Sequence, residues 1–585
     1  MLNGRIYRAA FLPVLFALVI AGFSLRDLPR PLASPLPPDA FDADAAMREL
    51  ARLETAFPRR KAGSAADDAL AAHVSRRLRE AGFAVHSQAF EGETANGRRR
   101  LVNVVGERTG FSSRRILVVA HRDALSPPSR ASLSSTAALL ELARVLGGRT
   151  LGRTIVLAST TAGAAGAAGA QELGADPGGP VDAALVLGGP AGTDLRRPLV
   201  VPWSDGAPGA APIDLERTVR AAIGLETGVA PGEDGFAARF ARLAVPLSVG
   251  EQGALVAEGM PAVLVGPSGE RGPGASNAVT TDRMAAFGRG VLRSVTALDG
   301  GPSVGRHDRS ELVIRSKVLP EWAIRLLVAA LALPVLVAAV DGFARVRRRR
   351  GRVGMWLGWV LAGVLPFALA WGFVLLARVT GLIPAAPPHT VPAGAVAIAW
   401  PALACAALVL ALGWIAVRPL ALRALRVSGD VTSAGAGAAL VLVLAGLTCA
   451  VWVGNPFAAA LLLPLLHLGL AVAAPEVRLA RPAALLIALV ALIPFALVAV
   501  YYALAFGMGP VELTWVTVLL FAGGQVGVAA GLALCVLAGC AASVVAVALR
   551  SGRARPGEEP DVTVRGPVSY AGPGSLGGTE SALRR

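Results

Sequence analysis

Histidine and cysteine are scarce in this chain, six and four among 585 residues. All four cysteines, Cys405, Cys449, Cys535 and Cys540, fall in apolar stretches of the C-terminal half, so the N-terminal region has no disulfide staple and must fold on core burial alone. Lysine is nearly missing as well. Lys61 and Lys317 are the only two, and the net charge of +16 is carried by arginine. Those arginines sit in short clusters beside apolar runs and are otherwise dispersed among acids, which gives no continuous nucleic-acid-binding face. The histidine shortage also limits metal chemistry. A zinc or two-zinc hydrolytic centre needs about three to five His, Asp, Glu or Cys ligands and a carboxylate base.

Apolar residues, in contrast, are plentiful. At 54% apolar and a mean hydropathy of +0.58 the chain is too greasy for a soluble protein, and much of it is expected to sit in a bilayer. Residues 1–25 read as an N-terminal membrane anchor, apolar from about Ala9 to Leu25 behind Arg5 and Arg8. No clean small-X-small cleavage site follows, which favours an uncleaved anchor over the alternative of a signal peptide. Residues 26–41 are a proline-rich linker, 42–301 a globular domain, 302–318 a second linker, 319–549 a membrane domain, and 550–585 a Gly-, Pro- and Ser-rich tail expected to be disordered.

Within 42–301, helical apolar spacing over 43–56 and 65–82 precedes a strand around 83–90. Short β-type runs follow at Leu101–Val105, Arg115–Ala120, Thr154–Ala158 and Ala183–Leu187, with a helix at 134–147. This alternation predicts an α/β three-layer domain with a mostly parallel central sheet. Ligands of such sheets gather at the carboxyl ends of strands, and the run Leu117-Val-Val-Ala-His-Arg-Asp123 delivers His121 and Asp123 there.

The order of these segments resembles the family-28 metallopeptidases, the two-zinc aminopeptidases. Arg60 to Asp67 resembles their Gly-Ser entry loop, Leu101–Val105 a central strand, and Leu117 to Asp123 the strand with the first metal histidine. Leu139-Leu-Glu-Leu-Ala-Arg144 resembles the helix after the metal-bridging loop, and Glu258 to Val265 the late Gly-Ile-Pro-Ala strand. The resemblance implies a bridging aspartate where Ala131 stands, a Glu-Glu pair where Gly163-Ala164 stands, a further aspartate at Gly188 and a last histidine at Ala278. Glu251-Gln252 replaces an Asp-His. Carboxylate and imidazole are thus missing where two metals would be held, so His121, Asp123, Ala131, Gly163, Ala164, Gly188 and Ala278 are read as a vestigial site. No catalytic residue and no cofactor are expected, His121 being at best a residual ligand, with Asp123 orienting it by a hydrogen bond.

The other polar candidates read as structural. His73 and His86 lie away from strand ends, His307 with Asp308 lies in the second linker, and Ser134 and Ser135 lack a Gly-X-Ser-X-Gly elbow.

Apolar stretches of about 20 residues, the length that crosses a bilayer, occur near 319–340, 355–377, 393–417, 434–453, 456–474 and 483–506. In 513–549, one span near 527–549 with 513–524 partly inserted, broken at Gly523-Gly-Gln525, brings the total with the anchor to eight. Every second connection is basic: Arg345 to Arg352, Arg418 to Arg426, Arg478 with Arg481, and Arg550 to Arg555. The positive-inside rule makes these ends and both termini cytoplasmic and the 42–301 domain extracytoplasmic, in a multi-pass cell-membrane protein. His467, Asn455 and Gln525 are the polar residues at or near membrane depth, and helix-to-helix hydrogen bonding is their expected role.

In layout the chain is similar to endoplasmic-reticulum and vacuolar membrane metallopeptidases and to the attachment subunit of the GPI transamidase, a relative without the metal site. The resulting expectation is a pseudopeptidase that holds a peptide or membrane-protein partner, in contact with lipid and not with nucleic acid. Two alternatives stay open: an active membrane aminopeptidase with zinc held by an unrecognised ligand set, and a transporter with a receptor-like domain.

Overall fold

A computed structural model describes residues 4–34, 37–126, 129–304, 310–350 and 352–552. The chain forms an α/β domain seated on a bundle of apolar helices. Its strands are β1 (Arg26–Asp27), β2 (Ala84–Thr94), β3 (Gly97–Arg108), β4 (Ser112–His121), β5 (Arg153–Thr160), β6 (Val181–Leu187), β7 (Val200–Val201), β8 (Ala262–Val265), β9 (Leu312–Ile314) and β10 (Lys317–Leu319). Seven of them make the central sheet in the order β2-β3-β5-β4-β6-β8-β7.

The sheet is mixed, which corrects the mostly parallel expectation. β4 runs parallel to β5 and β6, and β6 to β8, but β2–β3, β3–β5 and β7–β8 are antiparallel. The reason is local. β2 and β3 are joined by the tight turn at Ala95-Asn96, with Thr94 opposite Gly97, and a connection this short permits only antiparallel pairing.

Ile116 to Ala120 of β4 are fully buried because both faces of the strand are covered. Ile116, Val118 and Ala120 face a core shared with helices Ala43–Ala56, Ala65–Glu80, Arg130–Gly147 and Thr281–Gly300. Leu117 and Val119 face a second core that continues into the apolar helices through Ala323, Leu447 and Phe457. Two of the covering helices start where expected because Asp42 accepts the Ala45 amide and Ser64 that of Asp67.

Among the described residues eight helices are long and apolar enough to cross a membrane: Gly4–Phe23, Glu321–Arg348, Val353–Val379, Trp400–Ala424, Ala434–Gly454, Pro456–Ala473, Arg481–Phe506 and Val528–Arg550. The region 513–549 resolves into the short helix Pro510–Ala522, a break at Gly523-Gly524, and Val528–Arg550. The two linkers differ from expectation: β1 from the first pairs with β10 from the second, and β10 with β9, so the chain's entry to and exit from the α/β domain are stapled together. His307 and Asp308 lie outside the described residues, as do Arg553, Arg555 and the rest of the tail from 553.

Of the three polar candidates in the helical half, only His467 links helix to helix. Its Nε2 donates to the Leu331 carbonyl at 2.9 Å, which leaves Nδ1 to accept from the Tyr7 hydroxyl at 2.7 Å. Asn455 and Gln525 stand at helix ends and bond to the α/β domain instead. The Asn455 amide donates to the Leu243 and Ala244 carbonyls at 2.9 and 3.2 Å, while its oxygen accepts from Phe457 and Ala458 to cap the next helix. Gln525 Nε2 donates to Asp205 at 2.7 Å. Asp205 also accepts from the Ser248 amide, the Thr390 amide and hydroxyl, and His389 Nδ1.

Removing a buried acceptor with this many donors leaves them all unpaired. Asp205→Ala is expected to cost about 3 kcal/mol or more and to speed hydrogen exchange across 386–393 while leaving the 43–80 helices protected. Unchanged exchange at 386–393 would show that apolar contact alone holds the junction.

Candidate functional site

His121 ends β4, between β5 and β6, at the carboxyl edge of the parallel centre. Beneath it Arg122 is fully buried, pairing with Asp67 at 2.8 Å and donating to the Ser159 carbonyl at 2.9 Å, so the strand end is clamped from the core side. The imidazole itself is held from two directions. Nδ1 lies 3.3 Å from Glu251 Oε2 and Nε2 lies 2.9 Å from Ser132 Oγ, while Thr160 donates to Glu251 Oε1 at 2.6 Å.

Glu251, and not Asp123, therefore orients His121. Asp123 faces the 163–164 turn, where its Oδ1 accepts the Gly163 amide at 2.8 Å and the Ala164 amide at 3.5 Å. The expected Asp123–His121 hydrogen bond is replaced because Gly163 brings the turn against the strand end. A Cβ added there would lie 2.3 Å from the His121 Cβ and 2.7 Å from the Glu251 carboxyl carbon. No side chain larger than hydrogen fits without displacing the histidine.

Four of the seven sequence-named positions, His121, Gly163, Ala164 and Gly188, line one cavity of about 320 Å³. Asp123 and Ala131 are buried, Ala278 is exposed, and none of these three lines it. Ser134 and Ser135 are structural: Ser135 donates to the Leu187 carbonyl and accepts the Gly189 amide, and Ser134 accepts the Ala191 amide, tying the 130–147 helix to the loop after β6. Sequence reasoning noticed Glu251 only as a departure from a pattern and missed Ser132. The available signal was a carboxylate at 251 where Ala131, Gly163, Ala164, Gly188 and Ala278 carry none.

The cavity wall also comes from the helical half, through Pro392 and Ala393. A second wall, 269–275, is pinned to the end of the Arg481–Phe506 helix. Arg271 donates to the Leu504 and Ala505 carbonyls, and Glu270 pairs with Arg242, whose guanidinium stacks on Tyr501, Tyr502 and Phe506.

Burial alone would depress the His121 imidazole, but the adjoining Glu251 carboxylate outweighs it and holds the group above its ordinary value. Burial pushes the Asp123 carboxyl up to about 6, against the opposing pull of His121. The donor set does not fit a zinc ion, which takes four ligands, at least three from protein. Both His121 nitrogens are engaged, the only nearby carboxylate oxygens without a hydrogen-bond partner are Asp123 Oδ2 and the Glu251 Oε2 beside His121, and among the described residues no group of three or more His, Cys, Asp or Glu is arranged to hold a metal.

No protein-family model matches the chain, and no curated protein matches it. Solved structures do. Porphyromonas gingivalis glutaminyl cyclase matches at 19% identity and a TM-score of 0.35, over 44% of this chain and 98% of its own. A Zn-dependent exopeptidase from Parabacteroides distasonis matches at 18% and 0.34, over 44% and 98%. A leucine aminopeptidase precursor from Bacteroides thetaiotaomicron matches at 15% and 0.35, over 46% and 98%.

Two measurements check the electrostatics. Glu251→Gln is expected to lower the His121 pKa, read by histidine-labelled NMR, because the strongest influence raising it is removed while burial and Arg60 still act against the charged form. Asp123 ionises more readily unfolded than folded, so its contribution to stability is fully present below about pH 4, declines between about 4 and 6, and is flat above. Relative to Asp123→Asn, the wild type should lose up to about 3 kcal/mol across that window. His121 shifts the same way at higher pH: its contribution is present below its unfolded pKa and is lost as pH rises through the raised folded value.

Proposed function

We propose that this chain is a multi-pass membrane protein whose peptidase-like domain lies outside the cytoplasm, has lost catalysis, and holds a peptide or a membrane-protein partner in the cavity at the strand ends. The observation that carries the reading is the closed state of its one imidazole. His121 is spent on Glu251 and Ser132 within a cavity that the helical half helps to wall. A group that is to ligate metal or take a proton from water must present a free lone pair to the reactant.

The layout supports the topology. The α/β domain meets the helices at Arg378, His389, Asn455, Leu504 and Gln525, which belong to connections between spans or to their ends. The arginine-rich connections at 345–352, 423–426 and 478–481 are the other ones. Positive charge therefore alternates with the domain from one end of the bundle to the other, as expected for an extracytoplasmic domain with both termini inside. The transporter alternative receives no support from His467, because its two nitrogens hold the N-terminal helix and Leu331 in place.

Zinc content and hydrolysis of aminoacyl anilides by the full chain in detergent test the reading. The expected result is zinc far below one ion per chain and hydrolysis at the buffer rate, unchanged in His121→Ala. Stoichiometric zinc with hydrolysis lost in His121→Ala would overturn it and establish the aminopeptidase alternative. For the binding role, enrichment of peptides from a random library on the full chain should be lost in Ala164→Trp, which fills the cavity. Equal enrichment by that variant would move the binding surface elsewhere.

A further inference from the structure

Three side chains in the wall of the 320 Å³ cavity stand in a row. Ser132 Oγ lies 2.9 Å from His121 Nε2, and the other ring nitrogen, Nδ1, lies 3.3 Å from Glu251 Oε2. Which nitrogen carries the proton follows from the buried acceptor. Among the described residues Glu251 Oε2 has no hydrogen-bond partner, whereas Oε1 accepts from Thr160 at 2.6 Å. A buried carboxylate oxygen without a donor is costly, and Nδ1 is the group placed to supply one. The neutral imidazole therefore keeps its proton on Nδ1 and leaves the Nε2 lone pair to the Ser132 hydroxyl. Hydroxyl, imidazole and carboxylate in that order, with the first contact inside the range of about 2.6–3.2 Å, are the parts of an activated nucleophile.

The backbone around Ser132 suits the same chemistry. Ser132 stands in the first turn of the Arg130–Gly147 helix, where amides have no carbonyl acceptor within the helix and the dipole is positive. An oxygen that gains negative charge beside Ser132 is stabilised there. The start of this helix is fixed by Ser129, which holds a left-handed φ of +40° and whose carbonyl accepts from the buried Arg60 at 2.8 Å. A non-glycine residue takes that conformation at a cost, so the surrounding contacts impose the turn that brings Ser132 to the histidine.

We infer that Ser132 is a nucleophile that takes an acyl group from a carboxylic ester, with His121 as its base and Glu251 as the residue that positions the imidazole. The Ser132 oxygen bonds to the ester carbonyl carbon as the hydroxyl proton passes to His121 Nε2. The bond from that carbon to the alcohol oxygen then breaks, and Nε2 returns the proton to the departing alkoxide, giving an acyl-serine and a free alcohol. Leu125, Val186, Val249, Leu264 and Pro392 in the wall suit an apolar acyl chain. The inference goes beyond the binding reading proposed above and shares its cavity. An acyl group fixed once per chain is a covalent way of holding a ligand and involves no turnover.

The test is p-nitrophenyl butyrate added to the full chain in detergent. The expected result is a burst of nitrophenol of about one equivalent per chain, with the butyryl group found on Ser132 by peptide mass mapping. Ser132→Ala should lose both. Ser132→Cys should keep a burst and carry the group as a thioester, which shows that an altered residue 132 still folds. Glu251→Gln should slow the burst about a hundredfold. It should also move the pH profile of the burst to lower pH, because burial and Arg60 then oppose the charged imidazole with only Asp123 favouring it. A residue that acted only through folding would leave that profile in place. No burst, a butyryl group mapped elsewhere, or a burst equal to wild type in Ser132→Ala or Glu251→Gln overturns the inference. Continued release of nitrophenol that depends on Ser132 supports it and overturns the loss of catalysis proposed above, so the two readings fail separately.

Discussion

The carboxylate of Asp205 is the constraint on which both the docking of the two halves and the shape of the site depend. It is 2% exposed, so its charge is tolerable only because donors from three separate segments surround it. Two of those segments, 389–390 and 525, belong to the helical half, and the third, 248, belongs to the α/β domain. The Asp205 amide also donates to the Gly253 carbonyl at 3.1 Å, and Ser248 Oγ accepts from Gln252 at 2.8 Å. The helix that begins at Glu251 is therefore placed by the same residue that fastens the loop carrying Pro392 and Ala393. One buried acid fixes the partner of His121 and a wall of its cavity together.

The remainder of the junction follows a second rule, that carbonyls at helix ends need donors. At the junction Arg271 supplies them to Leu504 and Ala505, and within the helical half Arg325 supplies them to Trp452 and Val453. Arginine suits this work because one planar group reaches two acceptors, and a cation near a helix C-terminus also meets the favourable end of the dipole. The near absence of lysine thus has a structural counterpart, in that the cations joining domain and bundle, Arg242, Arg271 and Arg378, are all forks. Arg242 combines an ion pair to Glu270 with stacking on three aromatic rings of the Arg481–Phe506 helix, and a lysine there would keep only the charge.

Around His121 small residues have a positive role. The lack of a side chain at Gly163 lets the turn approach the histidine and donate its amide to Asp123. The same small residue leaves room for the Glu251 carboxylate beside Nδ1. The strand end is thus held by hydrogen bonds and an ion pair on the cavity wall.

The sequence by itself determined what depends on neighbours along the chain. The unbroken apolar run at 115–120 marked a strand, helical spacing marked the 43–56 and 65–82 helices, apolar runs of about 20 residues gave the bundle, and Gly523-Gly524 marked a break within it. It also put His121, Gly163, Ala164 and Gly188 at strand ends that share a cavity. Only the tertiary structure decided the pairings. Glu251 meets His121 across 130 residues of chain, Asp205 meets Gln525 across 320, and the two linkers meet as β1 and β10. Such contacts carry no local period, because they are selected by which buried charges and backbone groups must find partners once the layers have packed. For the same reason Asp123 was assigned to its near neighbour His121, when the backbone amide that needed an acceptor lay 40 residues away at Gly163.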